Sequence, residues 1–165
     1  MNFISRIWLK RRQDAARKIL KGSKVLDIGC GEYKIIPEAI GLDVEGISGI
    51  DKVGSAENLP FPNESFDAAT MLEVIEHLEN PEKALQEIKR ILKPGGQVII
   101  STPNVTVIWK VVWFLWSHTF GRKWLGTHSK YFNEKTLSEL FSKYFKIKSM
   151  NKTNFWILIL EGTKD

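Results

Sequence analysis

The stretch from Lys24 to Glu32, Lys-Val-Leu-Asp-Ile-Gly-Cys-Gly-Glu, restricts what this chain can fold into more than any other. Val25, Leu26 and Ile28 form a short apolar run with β-branched character, and two glycines one residue apart cut it off. The pattern predicts a buried strand entering a tight loop. Glycine at positions 29 and 31 admits positive φ and removes the Cβ that would hold a ligand away, so a polar ligand can lie against the main chain. Asp27 stands near the strand's carboxyl end, where open α/β sheets bind their ligands. A plain strand-to-helix turn would look the same over these nine residues, so the rest of the chain has to decide.

At 165 residues, with 43% hydrophobic and 26% charged side chains, the sequence suits one soluble domain spanning residues 1–165 with its own core. The single cysteine, Cys30, excludes an internal disulfide and a cysteine metal cluster. The basic start is not followed by an apolar run of signal-peptide length, which makes a cytoplasmic location the expectation. Charge is segregated. Residues 1–24 carry eight Lys or Arg against one acid, residues 25–104 six against fourteen, and residues 105–165 ten against four. The glycine-loop region is acidic and both flanks are basic, so the basic excess bears on an acceptor or a surface.

Ile4, Ile7, Trp8, Ala15, Ile19 and Leu20 recur at helical spacing among basic residues, which predicts a basic amphipathic leader helix over residues 1–22. It either packs on a sheet or docks on an anionic surface. After the glycine loop, Glu32 to Ala39 leaves room for a turn or two of helix, and Ile40–Asp43 reads as a second strand ending in a carboxylate. Only twelve residues separate Asp43 from Ala56, with three glycines among them, so a short strand over Ile50–Gly54 without a preceding helix is expected. Phe66–Leu72 reads as the fourth strand. Asn80-Pro81 starts a helix over Glu82–Leu92, Lys93-Pro-Gly-Gly96 ends it, and Gln97–Ser101 is the fifth strand. Strands alternating with helices argue a parallel, doubly wound sheet.

Two further stretches attract attention. If the segment after Leu72 is helical, Glu73, Glu76 and His77 share one face. Residues 105–127 form an aromatic-rich insertion in which Trp109, Trp113 and Trp116 fall on one helical face; the apolar run is too short for a membrane span and Lys110 interrupts it. Core packing, a lid over an acceptor and an interfacial membrane contact all fit that stripe.

Asp27-Ile-Gly-Cys-Gly31, Ala56-Glu-Asn-Leu-Pro-Phe-Pro62, Ser65-Phe-Asp67, Leu72-Glu-Val-Ile-Glu-His-Leu78 and Leu92-Lys-Pro-Gly-Gly96 follow one another as in class I S-adenosylmethionine-dependent methyltransferases. The chain resembles the small, compact members known as methyltransferase type 11, closely over residues 24–104 and loosely from His128 onward. The resemblance implies a Rossmann-like, doubly wound, mostly parallel sheet in a three-layer α/β/α arrangement, closed by an antiparallel strand pair over Phe145–Met150 and Phe155–Glu161. It implies S-adenosylmethionine as cofactor, held by Asp27, Gly29, Cys30, Gly31, Asp43, Ser55, Ala56, Glu57 and Glu73. Asp43 would take the ribose hydroxyls, with Asp51 as competitor. Ser55 stands where relatives usually carry an aspartate, and it is a weaker acceptor for the adenine amino group.

For an acceptor hydroxyl, His77 and His128 are the implied proton acceptors, with Glu76 as an alternative. No metal is assigned, although Glu73, Glu76, His77 and His128 form a set that some similar enzymes use for a divalent cation. The implied reaction is methyl transfer by in-line displacement to a small-molecule or lipid-linked acceptor. Peripheral membrane association would accompany a lipid-linked one. An RNA methyltransferase is the second reading, with nucleic acid the weaker partner, and a non-catalytic cofactor-binding module is the third.

Overall fold

The computed structural model describes residues 3–105, 130–153 and 157–165, with side chains from residue 9 onward within those ranges. The elements run α1 (Phe3–Ile19), β1 (Val25–Ile28), β2 (Ile40–Asp43), β3 (Lys52–Val53), β4 (Phe66–Leu72), a 3-10 turn (Ile75–His77), α2 (Pro81–Ile91), β5 (Leu92–Pro103), α3 (Glu134–Ser142), β6 (Lys146–Thr153) and β7 (Ile157–Thr163). Seven strands form one sheet in the order β3-β2-β1-β4-β5-β7-β6. β1 to β5 pair in parallel, and β7 runs antiparallel between β5 and β6. The Rossmann-like, mostly parallel sheet with a closing antiparallel pair is therefore the observed fold. Winding departs from β1 in both directions, so the topological switch lies between β1 and β4, where a ligand crevice forms at the strands' carboxyl ends.

Strand side chains alternate between two cores, as the two-residue period requires. Leu26, Ile28, Ala69, Met71, Val98, Ile100, Leu158 and Leu160 face one side, where α2 supplies Ala84, Leu85, Ile88 and Ile91 and α3 supplies Leu137 and Phe141. Val25, Ala68, Leu72, Ile99, Ile157 and Ile159 face the other, covered by Ala16 of α1 and by Ile35 and Ala39 from the β1–β2 connection. Three layers result, with α2 and α3 on one side and α1 on the other.

Several boundaries differ from those read in the sequence. α1 stops at Ile19, and Gly22, at φ +97°, turns the chain into β1; a Cβ there would lie 2.7 Å from Asp67 Cβ. Residues 32–39 form turns with no helix, because Ile35 drops into the core, fully buried, and its N–H is taken by Asp27. β3 is only Lys52–Val53, and no helix precedes it. Asn80 caps α2, its Oδ1 accepting from Lys83 N–H at 3.1 Å, with Pro81 in the first position. The Pro-Gly-Gly expected to end the helix instead lies inside β5. Leu92 is already extended at ψ 140°, and Gly95 and Gly96 exchange hydrogen bonds with Lys164 past the end of β7.

The tryptophan stripe of the 105–127 insertion lies outside the described residues. Its flanks do not: Asn104 bridges Phe132, and Val105 N–H donates to Phe132 O at 2.9 Å, so the chain leaves and returns at one point. No helix among the described residues is long and apolar enough to cross a membrane.

Candidate functional site

The glycine loop sits at the switch point, and its two glycines meet different surroundings. Gly29, at φ +67°, donates its N–H to Leu42 O at 2.7 Å, and a Cβ on it would fall on Val74 Cγ2. Gly31, at φ +57°, has nothing within 4 Å of where its Cβ would stand. Its N–H donates to Asp43 Oδ2 at 2.9 Å, and Asp43 Oδ1 accepts from Glu45 N–H at 3.1 Å. The carboxylate ending β2 thus faces the loop ending β1. Val44, next in the chain and 68% exposed, adds an uncovered apolar face beside it. Asp51 is placed differently: its carboxylate holds Gly41 N–H at 2.7 Å and Lys34 Nζ at 3.0 Å, at the entrance to β2.

Asp27 points into the sheet, 4% exposed. Its two oxygens are taken by Ile35 N–H and Thr70 Oγ1, each at 2.6 Å. Burial pushes its carboxyl up to about 6, against those hydrogen bonds and the charges of Arg12 and Arg17. These bonds tie the β1–β2 connection to β4. Cys30 is half-buried, and its thiol is pushed up to about 11 by burial and by the charges of Asp27 and Asp43. A thiol so placed is a weak nucleophile near neutral pH. Its Sγ fills the space a side chain at Gly41 would need.

Ser55, Ala56 and Glu57 form a turn after β3. Ser55 Oγ accepts from Glu57 N–H at 3.1 Å, Ala56 is buried, and Glu57 Oε1 accepts from Asn80 N–H at 3.0 Å. On the other side of the crevice, Glu73 takes φ +59°, a left-handed conformation uncommon for a residue with a Cβ. Ser101 Oγ donates to its Oε1 at 2.8 Å.

The expected convergence of Glu73, Glu76 and His77 on one helical face does not occur. Glu73 precedes the turn in left-handed conformation, and only Ile75–His77 winds, as 3-10. Glu76 goes inward, its side chain 2% exposed and accepting from Thr102 Oγ1 at 3.1 Å, while His77 stands 43% exposed with Nε2 3.9 Å from Glu76 Oε1. Burial raises both glutamates, Glu76 further by the nearby charge of Glu73. No group of three acids, histidines or cysteines positioned for a metal occurs among the described residues. His128 lies outside them. The chain returns over Glu76, whose carbonyl accepts from Lys130 N–H at 3.0 Å.

Arg12 is a site residue that sequence reasoning missed. Rising from the middle of α1, its charge acts on Asp27, Glu73 and Glu76, and its Nε is buried without a hydrogen-bond partner. A signal was present: Arg12 falls midway between Trp8 and Ala16, inside the apolar stripe of its helix. An arginine there has to meet an acidic or ligand partner.

The family model described as a methyltransferase domain matches residues 2–144. A ubiquinone biosynthesis O-methyltransferase of Pseudomonas putida is 34% identical over 114 residues, covering 53% of this chain and 47% of the relative. An uncharacterized protein of Methanocaldococcus jannaschii is 37% identical over 107 residues, covering 57% and 42%. The chain thus spans about half the length of the curated relatives it matches. Among solved structures, a Thermotoga maritima S-adenosylmethionine-dependent methyltransferase, described as a possible histamine N-methyltransferase, superposes with TM-score 0.76 at 22% identity, covering 94% of this chain and 89% of that one. A [4+2]-cyclase superposes at 0.70 with 18% identity, covering 93% and 80%. At such identities the likeness establishes the fold, and the cyclase illustrates that the fold alone does not fix the chemistry.

Proposed function

The chain belongs to the methyltransferase domain family, and from that premise we propose that it is an S-adenosylmethionine-dependent methyltransferase acting on a hydroxyl of a small-molecule or lipid-linked acceptor. One observation carries this reading: the open backbone at Gly31 faces the Asp43 carboxylate at the switch point, with Arg12 Nε buried and unpartnered on the acid-lined side of the crevice. These residues fit the cofactor's two polar ends. Asp43 is the acceptor for ribose hydroxyls, and the uncovered face of Val44 together with the Ser55–Glu57 turn suits the adenine ring. Arg12 is the donor for the cofactor's carboxylate, and Glu73 is the partner for its ammonium group. Asp27 and Cys30 serve the same site by shaping the loop rather than by touching ligand.

When bound, S-adenosylmethionine supplies a methyl group on a positively charged sulfur, open to in-line displacement. The chain's own part is alignment of the acceptor with that methyl and exclusion of water. His77, half exposed at the rim beside Glu76, accepts the acceptor's proton. His128 is a second proton acceptor by resemblance alone. The choice of oxygen as the methylated atom and of a quinone-like or lipid-linked acceptor follows the Pseudomonas relatives' name. Peripheral membrane contact through the basic leader helix and the tryptophan-bearing insertion goes with the lipid-linked form of this reading.

Calorimetry with S-adenosylhomocysteine, followed by label transfer from S-adenosylmethionine to a catechol-like phenol, tests the proposal. Binding and transfer support it. Absence of binding overturns it, and binding without transfer to any hydroxyl acceptor leaves a non-catalytic module. Salt-sensitive RNA binding with transfer to RNA would replace the acceptor class.

A further inference from the structure

We propose that Glu87 and Arg90, on the last turns of α2, clamp the Leu59–Asn63 loop and thereby set the shape of the adenine-side wall, which makes them positioning residues for cofactor selectivity. The proposal rests on the reading of Ser55–Glu57 as the adenine side.

The loop reads Leu-Pro-Phe-Pro-Asn, so Pro60 and Pro62 bring no N–H donors and the loop cannot hold itself by main-chain ladders. Apart from one internal bond, from Phe61 N–H to Leu59 O at 2.8 Å, its polar groups are met from α2. Glu87 Oε2 accepts from Leu59 N–H at 2.8 Å, and Arg90 Nη2 donates to Leu59 O at 2.9 Å. Arg90 Nη1 donates to Phe61 O at 2.7 Å and to Asn63 Oδ1 at 3.0 Å. The two side chains are themselves joined twice, from Arg90 Nε to Glu87 Oε1 at 2.9 Å and from Nη2 to Oε2 at 2.7 Å. This fork uses the planar geometry that lysine lacks.

Continuity with the candidate site is direct. Leu59 follows the Ser55–Asn58 turn without a break, Leu59 is 3% exposed in the core beneath it, and Glu57 is fastened to Asn80 at the other end of the same helix. α2 therefore grips the wall at both ends. Neither Glu87 nor Arg90 borders the glycine loop, and both are only partly exposed, at 19% and 31% of their side-chain surface. A partly exposed ion pair of this kind adds only modest stability by itself. Four hydrogen bonds converging on one loop, from two side chains that are themselves doubly joined, point to shape.

Arg90→Lys keeps the charge and most of the volume but cannot serve two carbonyls and Glu87 together; Glu87→Gln keeps the size and frees Leu59 N–H from a charged acceptor. Two readouts are taken on the whole chain: amide hydrogen exchange at Leu59 without ligand, and the affinity ratio between S-adenosylhomocysteine and its hypoxanthine analogue. The expected result is faster exchange confined to residues 57–65. S-adenosylhomocysteine, whose adenine depends on the shaped wall, should bind about tenfold more weakly as that wall falls to about a tenth of the population, while the hypoxanthine analogue, which gains nothing from the wall, should keep its affinity, so that the ratio moves toward one. Unchanged Leu59 exchange, or equal weakening of both ligands, would overturn the proposal, since a general loss of structure weakens both alike. Wild-type protein that binds neither ligand would overturn the cofactor reading and the selectivity role with it, whereas Leu59 exchange judges the clamp without any ligand.

Discussion

Replacing each glycine of the loop by alanine separates two functions that the sequence shows as one motif. At Gly29 the added Cβ is strained by φ +67° and also meets Val74 Cγ2. The left-handed backbone costs about 1–2 kcal/mol for a residue with a Cβ. Overpacking against Val74, partly buried against the core beside Ile75, adds about 1–3 kcal/mol. Gly29→Ala should therefore lose about 2–5 kcal/mol of folding stability. At Gly31 the backbone strain is similar, at φ +57°, but the Cβ enters open space. Gly31→Ala should lose only about 1–2 kcal/mol of stability, while its methyl intrudes where the ligand has to approach and reduces affinity by about 1–3 kcal/mol. Urea unfolding gives the stability of each variant, and calorimetry with S-adenosylhomocysteine gives affinity. Equal destabilisation by the two substitutions would show that Gly31 is also packed against protein. Unchanged affinity in Gly31→Ala would remove the loop from the binding surface.

Further predictions follow from the carboxylates and the thiol. Asp43→Ala should weaken S-adenosylhomocysteine binding by about 1–3 kcal/mol through loss of the ribose acceptor, and Asp51→Ala should leave affinity unchanged; calorimetry showing the reverse would move the role to Asp51. For Asp27, the native carboxyl titrates at about 6 against an ordinary 3.8, so between these values the folded state holds the extra proton. Stability from this group is therefore full below the ordinary value and falls as pH rises through the native one, by about 3 kcal/mol. Asp27→Asn should flatten that decline in urea unfolding across this window; an identical slope would mean that Asp27 is not buried as described. Cys30, with its thiol pushed up to about 11, should react slowly with iodoacetamide at neutral pH and faster as pH climbs toward that value. Rapid labelling at neutrality would contradict the packing around it.

The strands were legible because their side chains face two cores and their ends carry glycine or a carboxylate, as at Ile28-Gly29 and Leu42-Asp43. Irregular connections were not. Nothing local in Glu32–Ala39 announces that Ile35 will be drawn inward by Asp27, eight residues earlier. Pro-Gly-Gly is an ordinary helix terminator, and only the β7 tail reaching Lys164 draws residues 92–96 into β5. The supposed helical face of Glu73, Glu76 and His77 fails for a local reason. A left-handed Glu73 and the capping pair Asn80-Pro81 leave one 3-10 turn between them, so helical spacing has no meaning there. Asp43 was singled out by resemblance, as an acceptor for ribose hydroxyls, whereas its bond to the Gly31 N–H has no local signal in the sequence. Arg12 was signalled by its place between Trp8 and Ala16 but passed over as one more residue of a basic helix face, and the Glu87–Arg90 fork acts across sequence distances that no local pattern shows.

A crystal structure of the complex with S-adenosylhomocysteine would test the central claim most directly. The nucleoside should lie along the Gly29–Gly31 backbone with both ribose hydroxyls on Asp43, the amino-acid carboxylate on Arg12 and the adenine edge at Ser55–Glu57. A nucleoside bound elsewhere, or a crevice in which Asp43 stays bonded to Gly31 N–H while ligand occupies another surface, would contradict the account.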